Sequence, residues 1–416
     1  MLKHDVVIVG AGPAGAGMGH YLAKSGLRVL ILDKSDFPRD KVCGDGLTPV
    51  AVRELDYLGI DYSTWKRNYG LRMVSLQKDF DYRWPENDRY PDFGLARSRM
   101  KLDYDLLQHA IAAGAEFRSG VHVTEPLIDA ASGNVRGVSA WRKDASGKRS
   151  VETYEAEFVV ASDGAGGKLG NAIGWHRKNN WPMGVAVRGY FESSLHQSEL
   201  MHSYVQLRDE QSGALLPGYG WIFPVDSGLV NVGLGSVSAR GAATKVDYRR
   251  VMRTWVAQLA RDFDLVAVSP VRGAALPMAI DRPVLAHRGL VLTGDAAGMI
   301  SPFNGEGIGY ALRCARFGAP LLVAALEQGS SWHREQLLQQ YSAKMLDDLG
   351  GYFQLGRVFV NLIENPKIMA LCVKYGFSQA KLMSFVVKLL SDCYSPTSGQ
   401  LEDRIIYRLN RVIPRL

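Results

Sequence analysis

Three short segments of this 416-residue chain combine glycine with acidic residues at spacings that suit a nucleotide. The first is Gly10-x-Gly12-x-x-Gly15, with Pro13 and Ala14 inside it. Gly10 permits a tight turn, Gly12 lets the backbone approach a pyrophosphate, and Gly15 lets strand and helix pack closely. The helix that follows offers free N–H groups and a partial positive charge to phosphate. Asp33, followed by Lys34, stands 23 positions after Gly10, about where an acid takes a ribose hydroxyl. The second segment is Gly294-Asp295-Ala296-Ala297, continuing through Pro302, Gly305, Gly307 and Ile308 into a helical pattern. The third is Ser162-Asp163-Gly164. A single NAD site needs no element about 280 residues downstream, whereas FAD lies extended and needs contacts at both ends. Asp295 is then placed to accept from the ribityl or phosphate region. A helix starting near Gly305 would point its positive end at the isoalloxazine carbonyl and favour the anionic reduced flavin.

The elements that must position these residues follow from periodicity. Val6–Val9 reads as a buried strand, a helix runs to about Lys24, and Arg28–Leu32 reads as a second strand, a βαβ unit whose parallel strands need cover on both faces. Partial alternation from Leu71 to Trp84 predicts sheet. Leu102, Leu106, Leu107, Ala110 and Ile111 mark one face of a helix that stops at Gly114. Strand-like runs follow at Val121–Val123, Val135–Trp141 and Tyr154–Ala161, and most of 180–270 reads as strand around a helix near Tyr248–Asp262. A buried strand is predicted at 289–298, a helix from about Glu306, and helices thereafter. The fold class is α/β: a Rossmann-like nucleotide-binding domain with an inserted antiparallel β-sheet substrate domain and a helical C-terminal region. The expected boundaries are 1–70, 98–175 and 271–345 for the first, 71–97 and 176–270 for the second, and 346–416 for the third.

The three glycine segments in this order resemble the FAD-dependent oxidoreductase superfamily of aromatic hydroxylases, flavin halogenases and geranylgeranyl reductases. The resemblance narrows at "FPRDKVCGDGLTPVAVREL", residues 37–55, and at "PGYGWIFP", residues 217–224. Halogenases carry WxWxIP at the latter place and geranylgeranyl reductases YxWxFP; Tyr219, Trp221, Phe223 and Pro224 give the reductase version. Arg99 with Asp103 and the text "SPFNGEGI" fit the same family, and the combination is most similar to the bacterial menaquinone reductases, which saturate one isoprene unit of the quinone side chain. The match covers roughly residues 5–345, and the tail carries no strong motif. The resemblance implies FAD as cofactor and reduction of a C=C bond in a prenyl chain of a membrane lipid.

It also implies cofactor contacts at Gly10, Gly12, Pro13, Ala14, Gly15, Asp33, Lys34, Cys43, Gly44, Arg99, Asp163, Gly294, Asp295, Pro302, Gly305, Gly307 and Ile308. Tyr219, Trp221 and Phe223 would line the substrate cavity, and Tyr219, Trp221 and Cys43 would stand nearest the reaction. Without the family pattern, Tyr219 and Trp221 read as plain strand core. For Cys43 an inert buried thiol and a functional one both fit. The proton donor is not named by any motif; Tyr219 and an ordered water are the candidates. Other readings are reduction of a geranylgeranyl phospholipid or diphosphate, a monooxygenase or halogenase of small aromatics, and an electron-transfer flavoprotein. Tyr219 and Phe223, in place of Trp and Ile, argue against halogenation. The reductant is NAD(P)H or a ferredoxin-like carrier, since no second GxGxxG is present.

Composition narrows the surroundings. Four scattered cysteines (Cys43, Cys314, Cys372, Cys393) give no disulfide framework and suit a reducing cytoplasm. The nine histidines lack zinc-binding spacing, so no metal is expected. No uncharged apolar stretch reaches the roughly 18 residues of a spanning helix. Of the net charge of +7, residues 351–416 hold +5, with nine basic against four acidic side chains. Lys367, Lys374, Lys381 and Lys388 fall seven apart among Leu371, Phe377 and Leu382, and Arg404, Arg408, Arg411 and Arg415 recur at helical intervals. Such helices suit an anionic membrane surface, so the expectation is a cytoplasmic, peripherally membrane-associated protein that binds no nucleic acid.

Overall fold

In the computed structural model, described for all residues except 1–3, 77, 145, 214, 240–245, 377–378 and 414–416, the valine- and isoleucine-rich N-terminal runs are strands. Phe377 and Arg415 therefore lie outside the described residues. His4–Val9 pairs in parallel with Val29–Leu32 across helix α1 (Pro13–Lys24), which begins on a proline whose missing N–H costs nothing there. On its other side His4–Val9 pairs in parallel with Arg149–Ala161, which pairs in parallel with Leu290–Leu292. Three segments far apart in sequence thus end side by side. Gly10, Asp33, Ser162 and Thr293 each follow the last residue of one of these strands, at one edge of the sheet. That edge is where open α/β sheets place ligands.

The first half of Arg149–Ala161 leaves this sheet and forms an antiparallel arm with Val135–Lys143 and Val121–Ile128. Helices α2 (Pro49–Leu58) and α3 (Arg99–Ala112) lie in the N-terminal part of the chain, and α4 (Tyr248–Phe263) belongs to the insert. Helix α5 (Ile308–Glu327) packs on α1, with Gly17 close enough that a Cβ would stand 3.2 Å from Leu312 and 3.3 Å from Ala315. By length and composition α5 alone among the described residues could span a membrane, yet two thirds of its most apolar stretch is buried inside the protein. Its apolarity belongs to the core.

The inserted sheet runs Met183–Glu192, Leu229–Ser238, Gly218–Pro224, Met201–Tyr204, Gly70–Val74 and Asp79–Arg83. Side chains alternate between its faces. One face carries Val187, Ile222, Val232 and Leu234 under Val251, Met252 and Trp255 of α4. The other carries Met73, Ala186, Met201, Trp221 and Phe223 and turns toward the C-terminal helices. These are α6 (Ser331–Ile363), α7 (Pro366–Gly376), α8 (Ala380–Leu390) and α9 (Leu401–Val412).

Several expectations need correction. Arg272–Pro277 pairs with Met183–Glu192, so the insert extends past 270. Gly94–Ala96, assigned to the insert, instead pairs with Gly46–Leu47 and Lys66–Asn68 in a separate small sheet. The boundary at 345/346 falls within α6, an unbroken helix of 33 residues. The insert is not wholly antiparallel, because Met201–Tyr204 runs parallel to Gly70–Val74. The strand expected over 289–298 stops at Leu292, and a single tight turn occupies Gly294–Ala297. Lys388 leaves the solvated lysine series: it is buried and pairs with Asp403 at 2.8 Å.

Candidate functional site

The glycines of the first segment answer to close approach. Gly10 has φ +101°, and a Cβ there would lie 2.3 Å from the Ser162 carbonyl oxygen; one on Gly15 would lie 1.9 Å from the Gly10 oxygen. Asp33 braces this turn, accepting from the Ala11 N–H and the Ser35 N–H at 2.9 Å each. Over Gly12 stand two guanidiniums, since a Cβ there would lie 3.9 Å from both Arg39 and Arg99. Asp103, fully buried, holds both: Arg99 donates to its two oxygens at 2.6 and 2.7 Å, and Arg39 donates at 3.0 Å. A glycine turn, a helix N-terminus without a side-chain cap and two fixed cations fit a pyrophosphate.

The second segment lies against the first, since a Cβ on Gly294 would stand 3.0 Å from the Ala14 Cβ, and the Asp295 carboxylate would be 3.5 Å from a Cβ on Gly307, the residue preceding α5. The N-terminus of α5 likewise has no side-chain cap. Asp163 is committed locally, accepting from the Lys168 and Leu169 N–H groups at 2.9 and 3.4 Å. Its carboxylate is turned to its own loop.

From these converging segments runs one continuous cavity of about 1340 Å³. Of the positions read from sequence only Gly15 fails to line it, lying under the turn. At the Asp33 end the cavity meets a flat stack of His122 on Trp141, with centroids 3.7 Å apart. At the opposite end Tyr219, Trp221 and Phe223 face inward from one strand, with centroids 5.9 and 6.1 Å apart. The Tyr219 hydroxyl donates to the Asn304 carbonyl at 2.7 Å, and burial raises its pKa well above that of a free phenol. Burial also pushes the Cys43 thiol up, so it is held as a neutral thiol.

Sequence reasoning missed a buried network behind the aromatic wall. Trp221 Nε1 donates to Asn231 Oδ1 at 2.8 Å. Asn231 Nδ2 donates to the Cys43 carbonyl and to Asp45 Oδ2, each at 2.8 Å. The same Asp45 oxygen accepts from the Tyr190 hydroxyl at 2.6 Å, and its partner oxygen accepts from the Arg99 N–H at 3.1 Å. Burial raises the Asp45 carboxyl to about 6, against the pull of these donors. Arg39 was missed too, although it lies inside the quoted 37–55 segment.

The part the tail plays in the cavity was not foreseen. Phe359 and Ile363 of α6, Leu371 and Tyr375 of α7, and Leu382 and Val386 of α8 line the apolar end of the cavity. The signal was present in Leu382, Val386 and Leu390, four apart on one helical face. Beneath this roof Glu306 and Thr48 also line the cavity, with the Thr48 hydroxyl donating to Glu306 Oε2 at 2.9 Å.

Known proteins resemble the chain along most of its length. A protein family described as FAD binding domain matches residues 3–347. A menaquinone reductase of Mycolicibacterium smegmatis is 33% identical over 400 residues, covering 94% of this chain and 92% of its own length. A digeranylgeranylglycerophospholipid reductase of Methanopyrus kandleri is 28% identical over 365 residues, covering 85% of each. A solved geranylgeranyl bacteriochlorophyll reductase-like protein of Thermoplasma acidophilum superposes with a TM-score of 0.77 at 20% identity, covering 98% of this chain and 99% of that one.

Proposed function

The chain belongs to the FAD binding domain family and is similar over almost its whole length to bacterial menaquinone reductases, and on that premise we propose that it is a prenyl reductase of the geranylgeranyl reductase type that saturates an isoprene unit in the side chain of menaquinone. FAD is the cofactor, and when bound and reduced it supplies a hydride. The observation that carries the reading is the single cavity, whose one end fits a dinucleotide and whose other end is walled by aromatic and aliphatic side chains.

The chain's own groups have distinct tasks in this reading. Arg39 and Arg99 neutralise the pyrophosphate over Gly12, and Asp33 holds the turn in shape. Asp295 would hold the ribityl or phosphate region, and the free N–H groups at the start of α5 would favour negative charge on a bound flavin. Tyr219, Trp221 and Phe223 hold a prenyl unit flat, and the α7–α8 roof keeps water from it. Cys43 acts by contact, as an uncharged thiol beside the flavin. The electron donor would be reduced nicotinamide or a ferredoxin-like carrier.

The lip of the cavity also supports peripheral attachment to an anionic membrane. Leu371, Tyr375 and Leu382 are exposed there, with Lys367, Lys374 and Lys381 exposed beside them. A geranylgeranyl phospholipid is the second substrate reading, favoured by the same cavity and by the Methanopyrus relative.

The test is anaerobic mixing of dithionite-reduced protein with menaquinone or geranylgeranyl phospholipid, then mass spectrometry of the lipid after air reoxidation of any quinol. A product two hydrogens heavier from menaquinone is expected. Saturation of the phospholipid alone would shift the assignment to the second reading, and a hydroxylated product formed only with oxygen would overturn both.

A further inference from the structure

Saturation of an isolated alkene needs a proton as well as a hydride. At the apolar end of the cavity most polar groups are already committed. Tyr219 gives its hydroxyl hydrogen to Asn304, Trp221 gives its N–H to Asn231, and Asp45 lies behind the wall without lining the cavity. Glu306 differs. Its side chain lines the cavity, Oε2 accepts from Thr48 at 2.9 Å, and Oε1 is buried with no well-formed hydrogen bond among the described residues, only the nearby Gly309 N–H drawing on it weakly. A buried carboxyl oxygen without a well-formed hydrogen bond is costly, and a catalytic role is one reason for a protein to keep it. Gly309 makes room for it, because a Cβ there would stand 2.7 Å from Oε1.

Building on the prenyl reductase reading, we propose that Glu306 is the acid that protonates the alkene. One new C–H bond forms with the hydride from reduced FAD and the other with the Glu306 proton, as the π bond is lost. FAD is left oxidised by two electrons, and Glu306 is left as a carboxylate to be reprotonated from water after product leaves. Rotation about the last side-chain torsion, which is soft, presents either oxygen. Thr48 donates its hydroxyl hydrogen to Oε2 and steadies the carboxyl, which leaves Oε1 to carry the transferable proton.

The surroundings suit an acid that must be protonated near neutrality. Burial is the main cause and raises Glu306 to about 7, with Asp392, beyond the end of α8, pushing the same way. Thr48 on the α2 side, the Gly309 N–H and Arg313 on α5 pull it down. Arg313 is divided among Glu54 at 3.3 Å, Asp348 at 3.4 Å and Asp392 at 3.7 Å, so little of its charge is left for Glu306. Tyr219, Tyr310, Tyr352 and Cys393 complete the titratable neighbours, and burial keeps all four neutral.

The test compares wild type, Glu306→Gln and Glu306→Asp by two readouts. Infrared difference spectra of the oxidised holoenzyme across pH 5–9 should show a carboxyl C=O band that disappears near pH 7 and is missing in Glu306→Gln. Turnover of menaquinone in detergent should be level below about pH 7 and fall about tenfold per pH unit above it. Glu306→Gln should lose roughly 10²–10⁴-fold in turnover and its pH dependence, with FAD affinity unchanged, while Glu306→Asp restores the acid limb. Wild-type turnover or pH dependence in Glu306→Gln, or no Glu306-dependent band, would overturn the proposal. If wild type saturates no prenyl lipid although the band titrates, the reductase reading fails and the catalytic role falls with it.

Discussion

Asp45 has φ +62° and no exposed surface, yet it anchors Tyr190, Asn231 and the first N–H of α3. Its folded pKa of about 6 exceeds the ordinary 3.8, so the folded protein holds this proton more tightly than the unfolded chain does. The contribution is unperturbed below the unfolded value, and stability is lost as pH rises through about 6. Asp45→Asn should abolish that slope in the melting temperature between pH 4 and 6. It should also lower stability at pH 7 by roughly 1–3 kcal/mol, because an amide cannot accept from all three donors. A wild-type pH slope retained in the variant would contradict this. At the same scale Arg39→Ala should weaken FAD binding by about 1.5–3 kcal/mol, roughly ten- to a hundredfold in Kd by flavin fluorescence titration. The glycine motif and the aromatic triplet were legible because each is local in sequence. Arg39, Asp45, Asn231 and Glu306 were not, because their partners lie tens to hundreds of positions away and only folding supplies them.

Among the elements, the C-terminal helices changed meaning most. Their amphipathic pattern was legible, but it does not say what the apolar face covers. That face closes the cavity over Trp221 and Phe223, with Met383 and Val387 in the same cluster, and Lys388 is drawn in to meet Asp403. A charge in the roof should therefore harm substrate binding and spare the cofactor. Val386→Glu is expected to raise the KM for menaquinone at least tenfold with FAD affinity unchanged; an unaltered KM would remove α8 from the substrate path. Vesicle attachment belongs to the lip. Reversing Lys367, Lys374 and Lys381 to Glu should abolish flotation with anionic vesicles at low salt, whereas flotation equal to wild type would exclude this lip as the contact. The remaining elements were readable in kind more than in extent. Arg272–Pro277 escaped assignment to the insert because strand pairing, not composition, decides which sheet a strand joins.

Across the whole molecule, the parallel sheet gathers the ends of strands that begin near residues 4, 29, 149 and 290, and the long cavity follows from that gathering. The basic excess noted at the start lies largely on the helices that roof the apolar end. One chain thereby joins a polar cradle for FAD to an apolar chamber that opens beside exposed lysines and leucines. The most direct test of the central claim is a single anaerobic turnover. Protein carrying reduced FAD is mixed with one equivalent of menaquinone, and the lipid is weighed after its ring has been reoxidised in air. The account predicts a mass increase of two hydrogens that survives reoxidation and maps to the prenyl chain. A mass that returns to that of the starting quinone would mean that only the ring had been reduced, and would contradict it.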